Sequence, residues 1–261
     1  MAAQLPAIQL TEVTRDFDLG QGGKITALEG VNLVIALGQV VGLLGKSGSG
    51  KTTLMKLIAG LEPVTRGTVS IFGESLASME ARLHPQVQYV SLRTIELDPH
   101  RTVLENLLMH RPTEEAGEQA LAFHPEELLA ALSLNQVQPR LPGSLPGGLQ
   151  DRVALACALA SGASILLVDD LPGFDPETVS GLRGWLYDQP RRLGQVILFA
   201  SRNREALLPF CDRVVALRQG RVVFDDLIEK AKHQPDARVY RIRLRGRLDP
   251  AWSAWFSELP L

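Results

Sequence analysis

A glycine-rich stretch near the N-terminus carries the clearest chemical signal in the chain. It reads GKSGSGKT over residues 45–52 and fits the pattern G-x-x-x-x-G-K-[ST]. In such a loop the glycines let backbone N–H groups converge on phosphate oxygens, and the N-terminus of the following helix adds positive potential. Lys51 is expected to reach the β- and γ-phosphates of a nucleotide, and the Thr52 hydroxyl to ligate Mg²⁺. The full set is Gly45, Lys46, Ser47, Gly48, Ser49, Gly50, Lys51 and Thr52.

Two adjacent aspartates form a second group that could take part in the same chemistry. They follow the apolar run ILLV at residues 165–168, and such a run is typical of a buried parallel strand. We expect Asp169, at the end of that strand, to be a carboxylate associated with Mg²⁺ beside the phosphate loop. The alternative is that Asp169 caps the turn that follows the strand.

Alternating strand and helix patterns predict how these groups are positioned. After the loop, the apolar residues Leu54, Leu57, Ile58 and Leu61 have the spacing of a helix with one buried face. Gly60 and the region from Pro63 to Gly67 are expected to stop this helix. Helical patterns dominate between about residues 92 and 160. Strand patterns lie at residues 7–17, 31–36, 39–44, 68–73, 87–91, 165–168 and 195–201, with a hairpin over 213–225. This order predicts an α/β fold in which helices cover a parallel sheet.

Composition excludes several classes of protein. The 261 residues are 45% hydrophobic, which is enough for a sizeable core, and the net charge is −2. No apolar run approaches the roughly 20 residues needed to span a bilayer, and the N-terminus lacks the pattern of a signal peptide. Cys157 and Cys211 have no metal-site or redox spacing and are expected to be small buried residues. Because the sequence has no basic stripe with interleaved aromatic residues, we expect no nucleic-acid partner.

Four stretches, taken in order, resemble the motifs of the ATPase subunit of an ATP-binding cassette (ABC) transporter: GKSGSGKT, LPGGLQDRVALACALA, ILLVDDLPGFDP and VILFASRN. The resemblance covers about residues 7–230. It implies a P-loop NTPase fold with a parallel-sheet core, an antiparallel β subdomain and a helical subdomain at about 92–160, within an ATP-binding domain at 5–230. Residues 236–261 are expected to form a short C-terminal strand–helix extension.

The resemblance also implies a mechanism and partners. Two such subunits enclose two ATP molecules with Mg²⁺, each between the phosphate loop of one subunit and the signature motif of the other. Closure of this dimer drives transmembrane permease subunits, whose docking groove would involve residues 92–110. The chain would then lie peripherally at the cytoplasmic face of the cell (inner) membrane.

Three further residues take family positions by the same resemblance. Phe17 has the position of the aromatic residue that stacks on adenine, and the alternative is a core phenylalanine on an edge strand. Thr53, which follows Thr52, belongs to the nucleotide-contacting segment. Asp175 would contact the second ATPase subunit, although PGFD departs from the usual SALD. The alternative for Asp175 is helix N-capping.

The signature motif departs from the family pattern LSGGQ. It consists here of Leu145, Pro146, Gly147, Gly148 and Leu149. Pro146 offers neither the serine hydroxyl nor a backbone N–H to the γ-phosphate across the dimer, and its ring fixes φ. Because both glycines keep their donors, we expect this contact to be weakened but not lost. The alternative is that LPGGL is only the entry to a helix.

Three positions of the hydrolytic machinery also differ from the family. Asp170 replaces the glutamate that orients the attacking water, and a displacement of about 1 Å can cost on the order of 10²-fold in rate; capping of the following turn is the alternative. Arg202 replaces a histidine, so it can hold phosphate without exchanging protons near neutral pH, or it forms an ordinary surface ion pair. The family's glutamine is missing, because its position falls on Leu92 or Arg93.

Together these features predict a subunit that binds Mg-ATP and hydrolyses it weakly. In a homodimer every substitution would affect both sites, so a heterodimer with a second, more intact ATPase subunit is favoured. A non-transport regulatory ATPase that works by nucleotide-dependent dimerisation is the alternative function. The C-terminal tail resembles an extension of some exporter ATPases, which slightly favours export over import.

Overall fold

A computed structural model describes residues 5–20, 23–76, 84–91, 97–111 and 124–228, and the backbone alone at 229–230 and 240–242. The predictions for Leu92 and Arg93, and for the helix of the C-terminal extension, lie outside these residues.

The predicted strands are present in the described chain, but β2 begins well before the predicted residue 31, and β5 and α6 were not predicted. The strands are β1 (Ile8–Gly20), β2 (Gly23–Ile35), β3 (Val40–Leu44), β4 (Arg66–Ile71), β5 (Glu74–Ser75), β6 (Val87–Ser91), β7 (Ile165–Asp169), β8 (Val196–Ser201), β9 (Arg213–Arg218), β10 (Arg221–Lys230) and β11 (Tyr240–Ile242). The helices are α1 (Lys51–Ile58), α2 (Val103–Met109), α3 (Pro125–Ala131), α4 (Gly147–Ala160), α5 (Pro176–Leu193) and α6 (Arg204–Leu207). None of these described helices is both long and apolar enough to cross a membrane.

The described strands form two sheets. In the first, the order is β11-β10-β9-β3-β8-β7-β6. Strands β9, β3, β8, β7 and β6 run parallel, whereas β10 and β11 are added antiparallel at one edge. In the second sheet, the order β2-β1-β4-β5 is antiparallel throughout. The predicted α/β class, with a parallel core and an antiparallel β unit, is therefore confirmed.

The parallel sheet is buried on both faces, because successive residues of its strands belong to two different hydrophobic clusters. In β7, Leu166 and Val168 pack in the cluster that includes residues of α2 to α5. Their neighbours Ile165 and Leu167 pack in the cluster that includes α1 and the antiparallel sheet. A strand covered on both sides needs apolar residues at every position, which explains the run ILLV.

Helix α1 ends just before Gly60, where the sequence predicts a stop, so the last residue of the apolar stripe lies beyond the helix. The Gly60 N–H donates to the Leu57 carbonyl at 3.1 Å, and the Leu61 N–H donates to the Lys56 carbonyl at 2.9 Å. With Gly60 at φ 76°, these two bonds form a Schellman motif, which closes a helix at a left-handed glycine. The prediction that Leu61 continues the buried stripe is wrong, since Leu61 is 42% exposed.

Local sequence also sets the ends of helices α2 and α5. Helix α2 begins with a capping box, in which Thr102 and Glu105 each accept from the other's backbone N–H. Helix α5 begins with Pro176 at its first position, where the missing N–H costs nothing. Gly194, at φ 65°, ends α5. The start of α5 thus ends the loop that follows β7, and its end leads into β8.

The strand predicted in the C-terminal tail is described at Tyr240–Ile242, where the backbone pairs antiparallel with Ile228, Glu229 and Lys230 of β10. This part of the tail therefore extends the parallel sheet at its edge. The limits of the ATP-binding domain at 5–230 and of the extension at 236–261 stay predictions.

Candidate nucleotide-binding site

The phosphate loop joins β3 to α1, and two of its glycines are required by close packing. Gly50 has φ 104°, and a Cβ atom there would lie 2.7 Å from the Ala27 carbonyl oxygen of β2. A Cβ atom at Gly45 would lie 2.6 Å from the Leu217 carbonyl oxygen of β9. The loop is therefore wedged between the two sheets, and its path depends on both. Residues 46–48 are exposed and face solvent.

The Lys51 ammonium group hydrogen-bonds to backbone carbonyl oxygens of this loop. Its Nζ donates to the carbonyl oxygens of Gly45 at 2.7 Å and Lys46 at 3.0 Å. Burial lowers the pKa of Lys51, the negative charge of Asp169 opposes that shift, and the positive charge of Arg202 adds to it. The loop lysine therefore lies within electrostatic range of three other predicted site residues, Asp169, Arg202 and Asp170. A cation in this position can neutralise phosphate charge.

Thr52 and Asp169, the two predicted Mg²⁺ residues, contact each other. The Thr52 hydroxyl donates to Asp169 Oδ2 at 2.7 Å. A hydroxyl has one proton and two lone pairs, so this bond leaves acceptor capacity on the Thr52 oxygen. Asp169 is 8% exposed, whereas Thr52 is exposed. The pair offers hydroxyl and carboxylate oxygens, which suit Mg²⁺, an ion that takes few protein ligands and adds phosphate oxygens and waters.

A second side chain reaches the Asp169 carboxylate and was not predicted from the sequence. The Tyr89 hydroxyl on β6 donates to Asp169 Oδ2 at 3.0 Å. Burial, the charge of Asp169 and the hydrogen bond to it all raise the pKa of Tyr89 above its usual value. Tyr89 therefore keeps its proton and acts as a donor. The sequence signal for Tyr89 was its place in the predicted strand at 87–91. The structure adds that Ser91, two residues further on, pairs with Asp169.

Asp170 and Arg202, which both depart from the family pattern, lie next to each other. Arg202 Nη2 is 4.0 Å from Asp170 Oδ1. Both line a cavity of about 490 Å³ together with polar residues Asp151, Ser201 and Asn203. Asp170 has φ 60°, in the left-handed region that aspartate enters more readily than glutamate. The shorter side chain at this position therefore matches its backbone conformation, and the water-orienting role of Asp170 stays a prediction.

The signature motif lies at the start of α4. Leu145 is 5% exposed, whereas Pro146, Gly147 and Gly148 are exposed. Pro146 is the N-cap residue at φ −56° and ψ 149°, and no side chain caps the helix there. A Cβ atom at Gly147 or Gly148 would meet no atom within 4 Å, and neither φ is in the left-handed region. Packing against the described residues therefore does not explain the two glycines.

Asp175 caps helix α5. Its Oδ1 accepts from the Thr178 N–H at 3.0 Å, and its Oδ2 accepts from the Thr178 hydroxyl at 2.9 Å. The Thr178 N–H, and then its hydroxyl and the charge of Arg152, hold the pKa of Asp175 below its usual value. Asp175 also forms an ion pair with Arg152 of α4, which ties the signature helix to the loop after β7. The N-capping alternative is thus present in the structure, and the contact with a second subunit stays a prediction.

Phe17, the predicted adenine-stacking residue, is half-buried and is not part of the hydrophobic core. The Arg15 guanidinium carbon lies 4.4 Å from its ring centroid. Strand β1 lies between β2 and β4, but its pairing with β4 ends at Thr14. Phe17 therefore lies on a part of β1 that is paired only with β2. Thr53, the last predicted contact residue, is half-buried in the first turn of α1.

A glycine-rich loop between a parallel strand and a helix, with a carboxylate at the end of a neighbouring strand, defines a P-loop nucleotide-binding protein. The family described as ABC transporter matches residues 28–171. The chain therefore belongs to the family of ABC transporter ATP-binding subunits. Members of this family bind ATP, typically with Mg²⁺.

Named relatives and solved structures agree with this family. The sulfate/thiosulfate import ATP-binding protein CysA of Mesorhizobium japonicum is 36% identical over 220 residues, which cover 82% of this chain and 62% of that protein. The methionine import ATP-binding protein MetN of Sodalis glossinidius is 31% identical over 245 residues, which cover 92% of this chain and 71% of that protein. The chain thus spans less than two thirds of the length of the CysA relative.

Among solved structures, the dimeric post-hydrolysis state of the ATP-binding cassette MJ0796 bound to ADP and Pi has a TM-score of 0.65 and 27% identity. The match covers 84% of this chain and 98% of that one. A structure described as the ATP-binding subunit of an ABC transporter has a TM-score of 0.64 and 25% identity, over 85% of this chain and 90% of that one. Both confirm the fold class.

Proposed function

We propose that this chain is the nucleotide-binding subunit of an ABC transporter and that it binds Mg-ATP at its phosphate loop. The observation that carries the proposal is the convergence of Lys51, Thr52 and Asp169 at the carboxyl edge of the parallel sheet. The Thr52–Asp169 hydrogen bond of 2.7 Å joins the loop to β7, and Asp169 adds to the electrostatic environment of Lys51. These are the groups that a triphosphate and its cation require.

Each residue has a distinct task in nucleotide binding. The backbone N–H groups of residues 45–52 cradle phosphate oxygens, and Lys51 neutralises the β- and γ-phosphates. Thr52 and Asp169 hold Mg²⁺, which supplies further charge neutralisation at the phosphates when it is bound. Phe17 offers a ring face to adenine, with Arg15 against the ring. Together these contacts bind and orient the triphosphate.

The second half of each nucleotide site comes from another subunit in this proposal. The exposed glycines Gly147 and Gly148 have no packing reason to lack a side chain, and glycine lets a backbone approach a ligand closely. A γ-phosphate held by the partner's loop would use that space. The dimeric MJ0796 cassette supports this arrangement, because that relative is described as a dimer with ADP and Pi.

A heterodimer with a more intact ATPase subunit fits the substitutions better than a homodimer. The altered residues Pro146, Asp170 and Arg202 would weaken every site of a homodimer, because symmetric copies share each defect. In a heterodimer, Asp170 and Arg202 affect this chain's own nucleotide, and Pro146 affects the partner's nucleotide. Hydrolysis at this chain's own site is therefore expected to be weak.

The remaining partners are transmembrane permease subunits, which place the chain peripherally at the cytoplasmic face of the inner membrane. The CysA and MetN relatives are both named import proteins. Their names favour import and count against the export expected from the C-terminal tail. The transported substrate is a property of the permease subunits.

Affinity purification of the tagged chain from native membranes tests this function. We expect the detergent-solubilised complex to contain a second ATPase subunit and transmembrane subunits, identified by mass. A chain that is recovered without membrane proteins, yet dimerises with ATP, would contradict the transport role and support a regulatory ATPase instead.

ATP hydrolysis at this chain's own site should be partly restored by returning the altered residues to the family pattern. We expect Asp170→Glu combined with Arg202→His to raise single-turnover ATP hydrolysis in the complex by about one power of ten, because about 1 Å of reach is worth on the order of 10²-fold. The left-handed φ of 60° at Asp170 is strained for glutamate, which offsets part of the gain. Since Arg202 lies 4.0 Å from Asp170, the two changes are expected to be non-additive.

A matched control uses the same residue types away from the site. Asp188→Glu combined with Arg183→His changes two residues of α5, and we expect no effect on the hydrolysis rate. If the Asp170 and Arg202 double variant also leaves the rate unchanged, the defect lies elsewhere, and residues 92–93 become the next positions to change.

A further inference from the structure

We infer that Tyr89 is a positioning residue for Mg²⁺ binding, because its hydroxyl holds the Asp169 carboxylate in a fixed orientation. The inference rests on the proposed function, in which Asp169 and Thr52 hold the cation. Tyr89 lies on β6, outside the phosphate loop, and its hydroxyl is 3.0 Å from Asp169 Oδ2. Tyr89 is not among the residues proposed to contact the nucleotide.

The geometry of the carboxylate carries this inference. Asp169 Oδ2 accepts two hydrogen bonds, from Thr52 at 2.7 Å and from Tyr89 at 3.0 Å. Thr52 is exposed and belongs to the loop that must receive the nucleotide. Tyr89 is the half-buried donor that reaches the same oxygen from the neighbouring strand. The Asp169 side chain is thus fixed from the protein interior, independently of the loop.

Strand register explains why a tyrosine can do this. Tyr89 pairs with Leu167 and Ser91 pairs with Asp169 in the parallel β6–β7 ladder. Tyr89 and Asp169 are therefore diagonal neighbours on adjacent strands, a separation that a long aromatic side chain can bridge. A shorter hydroxyl-bearing residue at position 89 would not reach the carboxylate.

The phenol ring and its hydroxyl can be separated by mutation. The ring packs against the hydrophobic cluster that includes α1, and phenylalanine keeps that packing. Outer groups that hydrogen-bond to metal ligands orient them, and their loss typically costs 10–100-fold in metal affinity, so a change of about 10-fold is expected here. Tyr89→Phe therefore removes the hydroxyl contact alone.

The test measures how much Mg²⁺ tightens ATP binding. Calorimetry gives the ATP dissociation constant in EDTA and in excess Mg²⁺, and the ratio of the two is the Mg²⁺-dependent gain. We expect Tyr89→Phe to reduce this gain about 10-fold relative to the parent chain, while the affinity in EDTA stays the same. Tyr187→Phe is the matched control, since Tyr187 is 57% exposed on α5, and its gain should equal that of the parent.

Each result has a distinct meaning. A Tyr89→Phe chain with the parent's Mg²⁺-dependent gain overturns the inference, whether or not its thermal unfolding midpoint falls. An equal loss of affinity in EDTA and in Mg²⁺ also overturns it, because the hydroxyl would then support only the loop. If the parent chain itself gains nothing from Mg²⁺, the proposed metal site fails, and the inference fails with it.

Discussion

Replacing Lys51 by alanine is expected to weaken Mg-ATP binding on the order of 100-fold, or about 3 kcal/mol. Its ammonium group lies at the centre of the phosphate loop, 2.7 Å from the Gly45 carbonyl oxygen. Phosphates that enter the loop gain charge-assisted hydrogen bonds from it, which are roughly twice as strong as neutral ones. Alanine leaves the backbone N–H groups of the loop, so residual binding should remain. Isothermal titration calorimetry measures the loss.

Lys56→Ala is the matched control for this change. Lys56 lies in the last turn of the same helix, α1, so the control removes one positive charge without touching the loop. Its ATP affinity should equal that of the parent. The thermal unfolding midpoint without nucleotide shows whether Lys51→Ala has disturbed the loop itself. Equal ATP affinity in Lys51→Ala and in the parent would contradict the proposed site.

The elements that local sequence determines are the ones that could be predicted. Strand β6 was predicted at residues 87–91 and is observed at Val87–Ser91, because a short segment rich in β-branched and aromatic residues is a local strand pattern. The phosphate loop was predictable for the same reason, since its strand, glycines and helix follow one another directly. The end of α1 at Gly60 was predictable because glycine is a local stop signal, whereas the exposure of Leu61 was missed because it depends on the backbone bonds that close the helix.

The contacts between site residues could not be predicted, because they join distant parts of the chain. Tyr89 and Asp169 are 80 residues apart, and Arg152 and Asp175 are 23 residues apart. Each pair depends on strand order or helix packing, which the spacing of residues in one segment does not determine. The prediction that Asp169 lies near Thr52 came instead from the loop motif and from the apolar run that ends at Asp169.

The backbone at Asp170 gives a physical reason for one departure from the family. Sequence comparison alone presents aspartate as a shorter glutamate with less reach. The φ of 60° lies in the left-handed region, and aspartate is enriched there among non-glycine residues. The substitution therefore combines a loss of reach with a backbone preference, and its reversal should restore only part of the rate.

Changing Pro146 to serine is expected to raise the stability of the ATP-closed dimer by about 10- to 100-fold. Serine adds a hydroxyl and a backbone N–H at the exposed N-cap of α4, beside Gly147 and Gly148. Hydrogen bonds to charged groups are typically worth about 1.5–3 kcal/mol, and the γ-phosphate of the partner's ATP is such a group. ATP hydrolysis at the partner's site, measured in the purified complex, should therefore become faster.

This gain can be separated from an effect on folding. The φ of −56° and ψ of 149° at position 146 are open to serine without strain. Serine as an N-cap stabilises a helix by about 1 kcal/mol, and loss of proline costs about 0.4–1 kcal/mol through the unfolded chain, so the unfolding midpoint should hardly move. Pro146→Ala restores the N–H without the hydroxyl and should give an intermediate rate. Equal rates for proline, alanine and serine would mean that LPGGL is only a helix entry, because no nucleotide would then contact this turn.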